Sequence, residues 1–252
     1  MNIYFSSDCY YIPDNYDDVL EIISRHTGVG ETHNVTTEDG YILSLFRIPQ
    51  NNPKDVILFQ HGIIQDSQQW VTQYNESVAF LFWKAGYDVW LGNSRGNFYS
   101  KKHITLTPKD EKFWDYSFNE IGYYDNNATI EYIKSTTNAP KIIYLGFSMG
   151  ATSGLVYASM RPEDATNSVK VMISLAPVSF MKYLKTPLKT MFSFSHFLMT
   201  YELHKVLRWY SLFNHNSWHL CILRCFNRFF PFKQLFIYVI EYIAGWTSTE
   251  ID

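Results

Sequence analysis

Lys141–Gly154, KIIYLGFSMGATSG, reads as a buried strand, a sharp turn carrying a serine, and the first turns of a helix. Ile142, Ile143, Tyr144 and Leu145 form a short apolar run, rich in β-branched and aromatic residues, as a central parallel strand covered on both faces requires. Gly146-Phe147-Ser148-Met149-Gly150 then fits G-x-S-x-G, a strand-to-helix turn so tight that the serine backbone is strained and the flanking positions leave no room for a Cβ. Such a turn lifts the Ser148 hydroxyl above the carboxyl end of the sheet. It also aims the free N–H groups of a helix N-terminus at the place where an oxyanion would form. Ala151, Ser153 and Gly154 keep that helix slim where it lies on the strand. The pentapeptide alone arises by chance in about one chain in ten of this length. Its apolar lead-in, its small-residue helix and a matching element upstream are what make Ser148 a candidate nucleophile.

That upstream element is Asp55–Gln60, DVILFQ, a second buried strand that runs into His61-Gly62-Ile63-Ile64. A glycine just past a central strand lets the backbone approach a ligand. The Ile63 N–H is then available as an oxyanion donor, partnered by that of Met149. His61 is a candidate general base, but its place directly after the strand favours a brace for this loop. Ser77–Ala85 has helical spacing, with Val78, Leu81 and Phe82 on one face and Gly86 as cap. Tyr87–Leu91 is a further strand. In the loop Gly92-Asn93-Ser94-Arg95-Gly96-Asn97, glycines and asparagines suit positive φ; Arg95 there is read as tying down carbonyls or a carboxylate such as Asp115 rather than as an anion site. Asp125–Ser135 is the helix before the serine strand. Arg161-Pro162-Glu163-Asp164 ends the helix after it, and Val169–Leu175 gives one more strand.

Strand and helix therefore alternate over residues 55–178, which predicts an α/β fold with a doubly wound, mostly parallel sheet. Before it, Asp18–Arg25 looks like a short helix, and the strands 34–37 and 41–48 around Asp39-Gly40 predict an N-terminal antiparallel ribbon. The expected division is an arm and short helix at 1–30, an α/β core at 31–178 and a partial helical cap at 179–252. The last segment is aromatic, basic and helical in period. It could cover an apolar cleft, touch a lipid surface, or be an ordinary helical layer.

At 252 residues, 46% hydrophobic and 18% charged, the chain is long enough for one domain with a substantial core and is not of disordered composition. A net charge of −3 without a run of Lys or Arg argues against nucleic acid. Cys9, Cys221 and Cys225 make no disulfide framework, and with no ligand set at metal spacing no metal is expected. No stretch reaches the length of a transmembrane helix, and the N-terminus as written lacks a signal peptide. Sequons at Asn34, Asn75 and Asn127 mark possible glycosylation and hint at a secretory history.

With VTTEDGYILSLFRIP, ILFQHGI, GYDVWLGNSRGN, GFSMG and LAPV in place, the chain resembles the acid lipases, the α/β-hydrolase family of gastric and lysosomal lipases and their insect relatives. The resemblance runs from about Glu31 to Val178 and continues more weakly into the cap. It implies that Ser148 is acylated, that Ile63 and Met149 supply the oxyanion N–H groups, that the substrate is an acylglycerol or sterol ester, that no metal or cofactor takes part, and that the protein is secreted or lysosomal. Phe147 and Met149 stand where the family usually has His and Gln. In this fold the triad acid and base follow the serine on loops after two further strands. No such alternation continues after Ala176, so the last strands are expected to be missing, the chain is read as C-terminally truncated, and no triad Asp or His is identified. Asp164 would lie roughly 20 Å from Ser148 along the helix, at about 1.5 Å per residue, on the wrong side of the sheet. His196, His204, His215 and His219 in the cap lack an evident acidic partner.

Two classes of function follow. One is a lipid ester hydrolase working through an acyl-serine, inactive in this form for want of a base; a thioesterase or acyltransferase on the same fold is a less favoured variant. The other is a catalytically silent lipid-binding or interaction protein.

Overall fold

The computed structural model describes residues 17–63 and 65–179, which belong to one compact unit, Tyr11–Ser179. The three cysteines and the predicted cap lie outside the described residues. Among the described residues, seven strands form one sheet: β1 (Glu31–Thr36), β2 (Tyr41–Ile48), β3 (Val56–Gln60), β4 (Asp88–Gly92), β5 (Lys102–His103), β6 (Ile142–Phe147) and β7 (Val169–Leu175). Their order is β1-β2-β4-β3-β6-β7, with β5 added to β2. β4, β3, β6 and β7 run parallel, whereas β1 pairs antiparallel with β2, and β2 with β4. This is the predicted parallel sheet with an antiparallel ribbon at its N-terminal flank.

β3 is the centre of the core because its five residues are all buried and alternate between two layers. Ile57 and Phe59 face a cluster with Val19, Ile22, Ile23, Phe80, Val89 and Leu91. Val56 and Leu58 face the opposite cluster, with Trp90, Ile130, Ile133, Tyr144 and Tyr157. Each such side chain contributes about 1.5–3 kcal/mol by leaving water, so the sheet is fixed from both sides. The first layer is covered by helices α1 (Val19–Thr27) and α2 (Val78–Lys84), the second by α4 (Asn127–Thr137), α5 (Met149–Met160) and α6 (Pro162–Ser168), with a single turn, α3 (Phe118–Glu120), leading toward α4. α1 opens on a capping box between Asp18 and Glu21 and closes on left-handed Gly28, as its sequence predicts.

Three local expectations change. In α2 the buried residues are Ala79 and Phe80, while Leu81 is 51% exposed. At 100° per residue, positions 78, 79, 80, 82 and 83 fill one arc centred on small Ala79, and Leu81 falls opposite it. Arg161–Asp164 does not simply end a helix: Pro162 at the first position, with Glu163 and Asp164 in the first turn, starts the short helix α6. α4 begins two residues later than expected, because Ile121–Asn126 forms a π-helical stretch that turns Asp125 and Asn126 into the interior.

Candidate active site

β6 delivers Ser148 to the carboxyl end of the sheet, and α5 starts immediately after it. The Ser148 backbone lies at φ 52°, ψ −114°, a region costing a residue with a Cβ on the order of 1–3 kcal/mol. The neighbours over-determine it. Ser148 N–H donates to Leu175 O at 2.9 Å, and Ser148 O accepts from Thr152 N–H at 3.0 Å, which pins the turn between β7 and α5. A Cβ on Gly146 would sit 2.6 Å from the backbone of Gly150 and Ala151, and one on Gly150 would sit 2.5 Å from Gln60 O. Both glycines are therefore demanded by close backbone approach, and Gly150 in particular by the packing of α5 against the end of β3.

The loop after β3 reaches the same place. A Cβ on Gly62 would lie 3.5 Å from Ser148 Cβ and 3.3 Å from the Phe147 ring, so the Gly62–Ile63 peptide borders the serine. Gly62 N–H donates to Gln69 Oε1 at 3.3 Å, and Gly62 O accepts from Gln65 N–H at 3.3 Å. Among the described residues, the Ile63 N–H has no acceptor, and the Ile63 side chain is 71% exposed. Met149 is the first residue of α5, so its N–H has no carbonyl one turn earlier to bond. The structure thus brings Ser148, Met149, Gly62 and Ile63 together from two separate strand ends.

Known proteins match the chain directly. A model of the alpha/beta hydrolase fold matches residues 55–213, well over half of the sequence. The chain belongs to the α/β-hydrolase family. A model of the partial alpha/beta-hydrolase lipase region matches residues 19–74 as well. Human lipase member K is 39% identical over 191 residues, covering 73% of this chain and 48% of that protein. Human lysosomal acid lipase/cholesteryl ester hydrolase is 40% identical over 184 residues, covering 70% of this chain and 46% of that protein. Mouse gastric triacylglycerol lipase is 39% identical over 195 residues, covering 74% and 49%. The chain spans about half the length of these curated relatives.

In this α/β hydrolase the Ser148 hydroxyl has no hydrogen-bond partner among the described residues. His61 borders the serine loop but is turned away from it: Nδ1 contacts Gly62 O at 2.7 Å and Nε2 contacts Ser94 N at 3.1 Å. Burial pushes its pKa below the ordinary 6.5, with the Gly62 hydrogen bond and Asp66 opposing that shift. It is a brace. Asp164 sits in α6, beyond the far end of α5, bonded to Arg161 at 3.3 Å. His196, His204, His215 and His219 lie outside the described residues. Among the described residues no group of His, Cys, Asp and Glu could hold a metal ion, and no helix is long and apolar enough to cross a membrane.

Arg95 is structural, but its partner is not Asp115. Its guanidinium donates to Asp125 at 2.8 Å and to Asp39 at 2.5 and 2.9 Å, and lies 4.0 Å over the Tyr41 ring. The π-helical stretch puts Asp125 there, and its Oδ2 also accepts the Arg95 N–H at 2.9 Å. Burial pushes the Asp125 carboxyl up to about 6 against the pull of Arg95. Burial and the two hydrogen-bonded partners act oppositely on Asp39, and the Arg95 and Thr37 bonds win, holding it below the ordinary carboxylate value. The clamp fixes the chain one residue after Ser94, which holds His61. Sequence reading missed Ser94, Asn93, Asn97 and Gln69 as supports of the site; the asparagine spacing in GNSRGN was the available signal.

Proposed function

We propose that the chain is a serine ester hydrolase of lipid esters, acylglycerols or sterol esters, belonging to lipid catabolism. Ser148 Oγ attacks the acyl carbon while a base takes its proton, and the carbonyl oxygen becomes an oxyanion facing the N–H groups of Ile63 and Met149. The C–O bond to the alcohol then breaks, the alcohol leaves with that proton, and water repeats the sequence to free the acid. What supports the reading is the Ser148 backbone, held at φ 52° between two glycines with the Gly62–Ile63 peptide beside it. Strain of this kind is kept only where surrounding contacts impose it. The substrate class rests on the acid-lipase likeness, as does a secreted or lysosomal location. Lipid-surface contact through residues 179–252 is part of the same proposal. Glycans fit best at Asn34 and Asn75, which are exposed; Asn127 is half-buried, and its sequon partner Thr129 is buried.

A second reading, a lipid-binding protein that does not turn over its ligand, is favoured by one observation: no described residue hydrogen-bonds the Ser148 hydroxyl. Without a base that hydroxyl is a weak nucleophile. A fluorophosphonate probe, which labels an activated serine, separates the two when Ser148→Ala is run beside the wild-type chain and hydrolysis of triolein and cholesteryl oleate is followed in parallel. Labelling and turnover confined to the Ser148 protein uphold the hydrolase. A folded chain that binds a fatty acyl ligand saturably, without labelling, upholds the second reading.

A further inference from the structure

The Gly62–Ile63 peptide is planar and trans, so its N–H points opposite to its C=O. Whatever holds the Gly62 carbonyl therefore aims the Ile63 N–H. The nearest donor to that carbonyl is His61 Nδ1, at 2.7 Å, on a ring that is only 1% exposed. A carbonyl only accepts, so Nδ1 carries the hydrogen. At the other side of the ring Nε2 meets the Ser94 N–H at 3.1 Å. A backbone N–H only donates, so Nε2 carries the lone pair. Both contacts demand the same neutral tautomer, and an imidazolium would set N–H against N–H.

A second group at Nε2 enforces the choice. Asn97 Nδ2 lies 3.1 Å from it. The orientation of that amide is fixed because Asn97 Oδ1 accepts from the N–H groups of Tyr99 and Ser100, both at 3.0 Å. The same Nδ2 donates to Asn93 Oδ1 at 2.7 Å. Asn93 is fixed in turn, since its Oδ1 accepts from Ser67 N–H at 3.0 Å and its Nδ2 donates to Ser44 O at 3.0 Å. The hydrogen-bond polarity of the imidazole is therefore written by backbone groups of β2, of the 3-10 turn at Ser67 and of the loop after β4.

We infer that His61 is a positioning residue for the oxyanion donor: its Nδ1–H holds the Gly62 carbonyl so that the Ile63 N–H faces away from the ring, and Ser94 and Asn97 select the tautomer that does so. This rests on the acyl-serine reading only for its consequence in catalysis. The tautomer itself stands independently. It also explains why a histidine next to the nucleophile is not the base, since its one lone pair is already occupied by two donors.

Side-chain amides test the geometry, because the nitrogen of asparagine reaches the position of imidazole Nδ1 and that of glutamine the position of Nε2. His61→Asn keeps a donor to Gly62 O, and His61→Gln does not. With p-nitrophenyl esters, His61→Gln is expected to lower kcat roughly a hundredfold, the usual effect of losing one oxyanion donor, with KM within about twofold. His61→Asn is expected to recover most of that loss, at a thermal midpoint matching the glutamine variant. Equal losses in the two variants, or losses that follow their midpoints, overturn the inference. Long-range nitrogen–proton NMR of the labelled full chain reads the tautomer without any turnover. A protonated Nδ1 beside an unprotonated Nε2 supports the inference, and the reverse pattern overturns it. If the wild-type chain neither labels nor turns over, the acyl-serine reading fails and the NMR pattern alone decides whether His61 orients this peptide.

Discussion

Two parts of the molecule invert the usual placement of side chains. At the carboxyl ends of β3 and β4, polar residues are buried: Gln60, His61, Asn93, Ser94 and Arg95 are almost without exposed surface. Along β7 and just after it, apolar residues face outward, with Val171 47% and Leu175 42% exposed. The first arrangement is stable because each polar group has a partner of the right polarity: Gln60 Nε2 on Ser94 Oγ at 2.7 Å, Ser94 N–H on His61, Arg95 on two carboxylates. Burial there follows satisfied hydrogen bonding, not residue type. The second arrangement reflects the sheet itself, since among the described strands β7 pairs on one side only, with β6. One region has its chemistry closed within the described core, and the other has not.

The largest effects fall where backbone meets backbone in the closed region. Gly150→Ala places a methyl carbon 2.5 Å from Gln60 O, on a strand whose five residues are all buried. Neither strand nor helix can retreat, and the change is expected to cost more than about 4 kcal/mol or to prevent folding. Urea unfolding measures it, and a variant as stable as wild type would show that α5 does not pack against the end of β3. Next comes the buried clamp. Asp125→Ala leaves the Arg95 guanidinium with Asp39 alone, and removing one partner of a buried pair costs about 3–5 kcal/mol. A loss under about 1 kcal/mol would mean that Asp39 suffices.

The contrast also marks what the sequence could tell. The serine turn was legible because its two glycines answer to a local geometry, visible within five residues. The strand pattern was legible because β3 and β6 are buried on both faces and read as continuous apolar runs. The clamp was not. Asp125 reaches Arg95 only through a π-helical stretch, which has no distinct hydrophobic period, and Asp39 comes from a hairpin 56 residues away in sequence. Asn97 likewise looked like a turn former, and its role as a donor to His61 depends on which way two other backbone groups hold its amide. Polarity of this kind is a property of assembled loops, and single residues do not announce it. Leu81 failed for a related reason: its helix was apolar on enough sides that the face chosen depended on where small Ala79 allowed close contact.

A smaller effect distinguishes the buried imidazole from an exposed one. His61 is neutral in the folded chain, with its pKa pushed below 6.5 by burial, while the unfolded chain takes up a proton below that pH. The groups facing the ring are Gly62 O, Ser94 N–H and Asn97, with Asp66 the nearby charge. The folded pKa lies below the unfolded one, so this contribution is complete above 6.5 and is lost as the pH falls. The slope is at most about 1.4 kcal/mol per pH unit. Urea midpoints of wild type and His61→Asn between pH 7.5 and 5 measure the effect: the wild-type curve should fall more steeply on the acid side. Parallel curves would mean that His61 accepts a proton in place, and that the donors at Nε2 do not hold it neutral.

The smallest expected effect is on β7, and it tests the comparison from the other side. Val171→Thr keeps a β-branched side chain of similar shape, so strand preference is preserved. At an exposed position the new hydroxyl meets water, and the change is expected to move stability by no more than about 0.5 kcal/mol. Val89→Thr in β4 is the matched control. That residue is fully buried in the first core layer, and an unpartnered hydroxyl there costs about 1–3 kcal/mol. Exposed apolar strand edges promote association between chains, so Val171→Thr should also raise the temperature at which light scattering sets in, which Val89→Thr should lower. If the two variants lose equal stability, the outer face of β7 is covered in the folded protein, and the contrast between a closed site and an open edge disappears.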